Sequence, residues 1–482
     1  MEGIRAMLFN SLAFLIFAPV FFALYFILKG RARMIFLLLA SYFFYGWWDW
    51  RFLGLLVLST VIDYSLGIGI DNAGDNLVRK RKMLILSVIS NLTILCFFKY
   101  LNFFVDSAYQ ILSAVGDTDT RPIFQIILPI GISFYTFQSM SYCIDLYRGK
   151  LHAERDFIRY AAFVALFPQL LSGPILRAAD MLPQMLQDHR VDWSRIARGL
   201  ELVLWGFFLK LCLADTAATV VNPRFEVPDL YGSLAHLIGV VCFALQIYGD
   251  FAGYSLIAIG LGTMMGFDFG INFNRPYFAR SFSEFWQRWH MSLSTWLRDY
   301  LYISLGGSRR GRLITMRNLA VTMFLGGLWH GAAYKFIVWG LLHGAYLILQ
   351  RIVGPVWSRA VQALRVPGLA IGAIEMSLVF SLTCFAWIFF RASTFGDAVS
   401  VIRIIAGFHD MSLHMSEQLI GIAKTGMAAT VVMTVDVVGQ SERIRNWYRN
   451  SAAARVTGAL LVMWSIILLG TFAGTSFLYF QF

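Results

Sequence analysis

Apolar runs of about 20 residues, separated by short polar stretches, recur along the whole 482-residue chain. Runs of that length can cross a hydrocarbon core as helices. The first, Leu8–Leu28, stops at Lys29, Arg31 and Arg33. It is too long for a signal-peptide core and carries no small-residue cleavage pattern, so an uncleaved first span is expected. Further spans are expected at Met34–Trp48, Phe52–Ile70, Met83–Val105 and Ile123–Leu146. The second ends in Tyr45-Gly-Trp-Trp-Asp-Trp50, an aromatic cluster of the kind found at a membrane interface.

Beyond residue 150 the pattern becomes irregular. Phe157–Leu176 is apolar but interrupted by Pro168, Gly173 and Pro174. Proline removes a helix donor and clashes with the preceding turn. A broken or re-entrant helix is expected, shielded from lipid by protein or a water-filled cavity. Arg177–Arg198 is polar and is read as cytoplasmic. Spans resume at Gly199–Ala218, Ser233–Tyr248 and Ser255–Gly266, with Gly249-Asp-Phe-Ala-Gly253 between the last two.

Ser281–Leu305 differs, because Glu284, Arg288, His290, Arg298 and Asp299 interrupt its apolar positions. Trp286, Trp289, Leu293, Trp296, Leu297 and Tyr300 recur at helical spacing, so one in-plane or inward-tucked amphipathic helix is expected. Glu284 and Arg288 are four apart and can pair. After the loop Gly306–Arg312, spans are expected at Leu313–Trp329, Tyr334–Ile352, Leu369–Phe390, Leu419–Val438 and Val456–Phe472. The expected fold is an all-α polytopic membrane protein with roughly eleven to thirteen crossings plus re-entrant or in-plane helices.

Composition agrees: 58% of residues are hydrophobic and 14% charged, where a soluble domain carries about 25% charge. The net charge of +12 raises the question of nucleic acid. Its basic residues, however, cluster in short loops: after the first, third and fifth spans they are Lys29–Arg33, Arg79–Lys82 and Arg148–Arg159. The loops after the second and fourth are weakly charged or acidic, with Asp106, Asp117, Asp119 and Arg121. This alternation places the basic loops in the cytoplasm and the amino terminus outside, and no nucleic-acid partner is expected. Cys96, Cys143, Cys212, Cys242 and Cys384 are scattered through apolar runs without a CxxC pair, so neither a disulfide framework nor a metal site is expected.

Candidate chemistry centres on histidine. His330 lies in Leu325-Gly-Gly-Leu-Trp-His-Gly-Ala-Ala333, an ionisable ring inside an apolar run. It is either a hydrogen-bonded packing residue or a reactive group, since imidazole exchanges protons near neutral pH. His343 follows thirteen residues later. On one unbroken helix the two would stand about 20 Å and about 140° apart, so they share a site only if Gly331–Ala333 breaks the helix. His343 is therefore read as a supporting or packing residue. His290, among Trp286, Trp289 and Trp296, is either part of an interfacial anchor or of a site wall. His236 is read as a packing residue, and His152, His189, His409 and His414 as solvated loop residues. No G-x-S-x-G elbow, P-loop or H-E-x-x-H is present. The acids Asp63, Asp250 and Glu375 raise a proton-coupled transporter, but no inverted repeat with paired broken helices accompanies them.

The combination Phe285-Trp-x-Arg-Trp-His290, Trp296-Leu-Arg-Asp-Tyr300, Arg317-Asn-Leu319 and Leu328-Trp-His-Gly331 resembles the membrane-bound O-acyltransferase family, most closely its bacterial branch that acetylates polysaccharides such as alginate. Ser41-Tyr-x-Phe-Tyr45, Leu128–Tyr135, Phe167-Pro-x-Leu170 with Gly173-Pro174, and Tyr479-Phe-Gln-Phe482 extend the resemblance nearly end to end. It implies one domain over residues 1–482 with a catalytic core at approximately 123–352, folded as a membrane-embedded funnel in the bacterial inner membrane. It also implies that His330 is catalytic and His290 assists it. The supporting residues are then Trp329, Trp289, Arg298, Asp299, Asp250 and His343. One departure stands out: relatives read Asp-Phe-Ser-Gly-Tyr-Ser-Asp where this chain has Asp250-Phe-Ala-Gly-Tyr-Ser-Leu256, so the later carboxylate is missing.

The expected activity takes acetyl from cytoplasmic acetyl-coenzyme A, a substrate and not a resident cofactor. It passes the acetyl across the membrane to a polysaccharide, through a periplasmic SGNH-type acyltransferase or directly. His330 would serve as general base or as transient nucleophile, and His290 would hold the thioester or its oxyanion by a hydrogen bond. Arg309, Arg310 and Arg312 either attract the donor's phosphates or serve topology alone. The alternatives are a D-alanyl transferase for teichoic acid and a membrane transporter of acetyl donor or glycan without chemistry of its own.

Overall fold

All regular elements among the described residues of the computed structural model are helices. The residues described are 7–116, 126–364, 367–408, 410–411, 419–472 and 477–478. Asp117, Asp119, Arg121, His409, His414 and the terminal Tyr479–Phe482 lie outside them. The chain divides into two compact units, residues 1–200 with 258–270, and residues 201–257 with 271–482.

The first unit contains α1 (Leu12–Ile27), α2 (Gly30–Asp49), α3 (Arg51–Asn72), α4 (Leu77–Val115), α5 (Ile132–Tyr147), α6 (Phe157–Val164), α7 (Phe167–Leu170) and α8 (Ala178–Met185). Polar side chains set where helices begin. Ser11 accepts the Phe14 N–H and Asn76 accepts the Arg79 N–H, each satisfying a donor that the first turn leaves open. The Arg79–Lys82 cluster consequently rides on the first turns of α4 instead of preceding it. The break expected near Pro168 is present: α6 ends at Val164, and α7 begins at Phe167 with Pro168 in its first turn, where its missing N–H costs nothing. Phe163, Leu166 and Phe167 there are fully buried.

A buried carboxylate ties three of these helices. Asp63 on α3 accepts Ser87 Oγ at 2.6 Å and Asn91 Nδ2 at 2.8 and 2.9 Å from α4, and Cys143 Sγ of α5 lies 3.7 Å away. His189 departs from the solvated reading. It is 9% exposed, its ring donates from Nε2 to the Gln184 carbonyl at 2.9 Å, and it packs on Phe267. Its own carbonyl accepts Arg33 Nη1.

The helix α9 (Trp193–Phe208) is followed by the second unit's π-helical turn Leu209–Ala214, then α10 (Asp215–Glu226) and α11 (Ser233–Met265). The last joins what the sequence pattern divided at Gly249–Gly253. Those glycines are contacts and not a break: a Cβ on Gly249 would lie 2.9 Å from the Leu209 carbonyl oxygen, and one on Gly253 2.8 Å from that of Gly206. Small residues let two backbones meet in a membrane. There follow α12 (Phe282–Arg288), α13 (Met291–Trp296), a second π-helical turn (Leu297–Tyr302), α14 (Arg312–His330), α15 (Tyr334–Leu364), α16 (Gly368–Arg391), α17 (Phe395–Ala406), α18 (Leu419–Val438), α19 (Glu442–Asn450) and α20 (Ala452–Leu469).

Seven helices among the described residues are long and apolar enough to cross a membrane: α3, α4, α11, α15, α16, α18 and α20. Shorter apolar helices accompany them at Leu12–Ile27 and Phe157–Leu170. Together they make a multi-pass, all-α membrane protein. Glu375, grouped with the buried acids in sequence, is half-buried and accepts the Trp357 indole N–H at 2.8 Å. Asp63 and Asp250 are buried.

Candidate active site

The site lies within the second unit and is built around two breaks in helix. The expected amphipathic helix over Ser281–Leu305 is in fact three pieces, and His290 occupies the first break with φ 41° and ψ 56°. A non-glycine residue in the left-handed region carries strain that the surrounding structure must hold in place. The segment before α12 holds it. Asn274 N–H donates to the Arg288 carbonyl at 2.9 Å and Met291 N–H to the Asn272 carbonyl at 2.8 Å, taking up backbone groups that a continuous helix would have used. The predicted apolar stripe survives the break, since Trp289, Leu293, Trp296, Leu297 and Tyr300 are all buried. Glu284 and Arg288 pair as expected, at 2.5 Å.

Asn272 also fixes the imidazole. Its Oδ1 accepts from Ser292 N–H at 3.1 Å and Ser292 Oγ at 2.9 Å, while its Nδ2 donates to Ser255 Oγ at 3.0 Å. That network makes Oδ1 the atom facing His290 Nδ1 at 3.2 Å, so Nδ1 carries the proton and Nε2 the lone pair in the neutral ring. The His290 ring is fully buried, edge-on to Phe251 at 4.5 Å between centroids. Asn272 has no motif around it and escaped the sequence reading.

His330 is the last residue of α14, and α15 starts at Tyr334. The chain therefore does break over Gly331–Ala333, the condition under which His330 and His343 can approach. The two helices fold back on each other at backbone contact. A Cβ on Gly327 would lie 2.3 Å from the Phe336 carbonyl oxygen, and one on Gly340 2.4 Å from that of Met323. This hairpin sets the Trp339 ring 4.9 Å from His330 and 4.8 Å from His343. Trp329 in turn lies 5.0 Å from His330 and 5.9 Å from His290. Two indoles thus link three buried imidazoles. His343, fully buried, also packs on Phe285, Trp286 and Tyr346, and neither of its ring nitrogens has a hydrogen-bond partner among the described residues.

The remaining candidates fall into separate places. Trp289 packs on Phe273 at 5.0 Å and Trp387 at 5.1 Å, walling the site. Asp250 is held by Lys210 Nζ at 2.7 Å; Lys210 also meets Asp215 at 2.8 Å and is 1% exposed. The Leu478 N–H donates to the other Asp250 oxygen at 2.8 Å, and Lys210 Nζ lies 4.4 Å from the Phe477 ring centre. Lys210, a lone cation in an apolar run, was not among the residues expected from the sequence. Arg298 and Asp299 pair with each other at 2.7 Å, with the guanidinium largely exposed. Arg309, Arg310 and Arg312 are exposed on and beside the loop that opens α14. His330 closes the same helix, so about 27 Å of helix separates Arg312 from it. Asn318 pins that loop by donating to the Gly307 carbonyl at 2.9 Å. His236 hydrogen-bonds the Pro228 carbonyl at 3.0 Å.

Among the described residues no group of three or more His, Cys, Asp or Glu side chains is placed to hold a metal ion. The arrangement offers buried imidazoles in aromatic walls, suited to proton transfer and hydrogen bonding out of water's reach.

Comparison with known proteins places the chain in one family. Residues 153–390 match the profile of the membrane-bound O-acyltransferase family. A probable alginate O-acetylase of Pseudomonas aeruginosa is 45% identical over 80% of this chain and 72% of its own length. One of Pseudomonas putida is 38% identical over 99% of this chain and 100% of its own. A peptidoglycan O-acetyltransferase of Helicobacter pylori is 35% identical over 86% of this chain and 82% of its own.

Proposed function

This chain belongs to the membrane-bound O-acyltransferase family, and from that footing we propose that it acetylates a polysaccharide outside the cytoplasm, with acetyl-coenzyme A inside as donor. The alginate and peptidoglycan acetylases aligned along most of its length support an acetyl group and a glycan acceptor. The observation that carries the reading is the arrangement His290–Trp329–His330, two buried imidazoles packed against one indole.

In the proposed reaction an acceptor hydroxyl attacks the thioester carbonyl. The C–S bond breaks, an ester C–O bond forms, and the hydroxyl proton ends on the coenzyme A thiol. His330 either takes that proton from the hydroxyl and returns it to the departing thiolate, or carries the acetyl itself between donor and acceptor. His290, with its Nδ1 proton committed to Asn272, offers the Nε2 lone pair of a neutral ring, which orients the attacking hydroxyl by accepting its hydrogen bond instead of donating to the carbonyl oxygen. Trp329 and Trp289 exclude water. The acceptor is a periplasmic SGNH-type acyltransferase that hands the acetyl on to the glycan, and the protein sits in the bacterial inner membrane with its basic loops in the cytoplasm. The exposed Arg309, Arg310 and Arg312 supply cytoplasmic positive charge that draws the donor's phosphates.

The test is turnover of radiolabelled acetyl-coenzyme A by the purified full-length protein in lipid nanodiscs. Histidine-dependent release of coenzyme A supports the proposal. Counterflow of donor or glycan without release contradicts it and indicates transport.

A further inference from the structure

α11, α16 and α18 enclose, with the loop Arg275–Phe278, a cavity of about 370 Å³, a size typical of ligand pockets. Its walls are apolar, and α18 contributes Ala429, Val432, Met433 and Asp436. These positions are spaced i, i+3, i+4, i+7, so they line one face of the helix. All three helices are long and apolar enough to cross a membrane.

The two charged groups are gathered at one end. Asp436 stands two residues before the end of α18, the depth at which a span meets lipid headgroups. The next helix, α19, carries Arg443, Arg445 and Arg449 with an exposed Trp447, a composition suited to that interface. Arg275 lines the same end, held in the left-handed region at φ 49° with its Nη1 donating to the Asp436 backbone carbonyl at 3.3 Å. The Asp436 carboxylate makes no hydrogen bond or ion pair of its own among the described residues. A greasy slot thus ends in one cation and one anion.

We propose that this cavity seats an acyl chain of a zwitterionic phospholipid, its phosphate on Arg275 and its primary ammonium on Asp436. Guanidinium suits phosphate oxygens geometrically, and a carboxylate at the same mouth disfavours a purely anionic headgroup. The lipid would touch the site wall: Tyr248 and Tyr277 line the cavity and lie 6.4 and 5.9 Å from the Trp289 ring, next to His290. This site is independent of the reaction proposed above.

The experiment is native mass spectrometry of the full-length protein, delipidated in detergent and then given phosphatidylethanolamine or phosphatidylglycerol of matched chains. The wild type should retain the ethanolamine lipid about fivefold better, the worth of one ion pair. Asp436→Asn should abolish the preference, and Ser377→Trp, which fills the cavity, should lower retention of both lipids. Size-exclusion profiles of both variants show whether they remain folded, and either one suffices. Equal retention of the two lipids by the wild type overturns the proposal, as does a preference untouched in folded Asp436→Asn or a retention of both lipids unchanged in folded Ser377→Trp. Displacement of the lipid by coenzyme A also overturns it, because the cavity would then belong to the donor.

Discussion

His330 and His343 share one indole: the Trp339 ring centre lies 4.9 Å from the first imidazole and 4.8 Å from the second. Thirteen residues of unbroken helix would have kept them apart. The hairpin of α14 and α15 brings them to the same tryptophan.

That relationship assigns them different parts. Trp339→Ala should destabilise the protein by about 3–5 kcal/mol, the usual cost of emptying a buried aromatic site. His343→Phe should be close to neutral in thermal stability and keep acetyl transfer. It preserves a ring among Phe285, Trp286 and Tyr346 and removes two nitrogens that have no partner among the described residues. Thermal melts and donor turnover check both variants. Loss of turnover in a folded His343→Phe protein would show that its nitrogens act in the reaction.

Asn272 should behave as a positioning residue for His290. Asn272→Ala removes the acceptor that fixes the Nδ1 proton and frees Ser292 as well. A misplaced group costs about 10²-fold in rate, so kcat should fall by that order while donor KM changes little. A fall confined to KM would place Asn272 in donor binding instead.

Lys210 is a buried cation shared by two buried carboxylates. Lys210→Met should destabilise by about 3–5 kcal/mol, because Asp215 and Asp250 would both lose the buried cation they share. Combining Lys210→Met with Asp215→Asn and Asp250→Asn should recover most of that loss. Denaturation in mixed micelles reads the difference, and failure of the triple variant to recover would mean the ion triad is not what Lys210 supports.

His189 gives a pH dependence. Burial is the main cause holding its imidazole below the ordinary histidine range, with the Gln184 carbonyl opposing it and Arg195 and Arg33 adding to it. The unfolded state then binds the proton more readily. The stability this group contributes is fully present above the unfolded pKa of about 6.5 and is lost as pH falls from there through the lower folded value. The melting temperature should drop between pH 7.5 and 5, and His189→Gln should flatten that part of the drop.

Much of the architecture was legible because membrane spans announce themselves by apolar length. The break before Pro168 and the pairing of Glu284 with Arg288 followed from local chemistry. The misread elements share one cause. Gly249 and Gly253 look like a turn along the chain, but they are where α11 meets another backbone. Trp286–Tyr300 keeps a helical stripe although His290 breaks the helix, because residues 272–274 take the freed hydrogen bonds. Both are satisfied by distant partners that periodicity does not register. His330 was visible from its Trp-His-Gly setting, whereas Asn272 sits in an unremarkable Ile-Asn-Phe-Asn stretch. Lys210 had a usable signal, a cation inside an apolar run with acids at 215 and 250.

In the proposed reaction His330 performs the transfer. The most direct test is mass analysis of surface polysaccharide from cells whose only copy of the gene carries His330→Ala, with membrane abundance of the protein checked by immunoblot. Removing a general base costs about 10²–10⁴-fold. O-acetyl groups should disappear from the glycan while the protein remains in the membrane at wild-type level. Normal acetylation in that strain would contradict this role of His330.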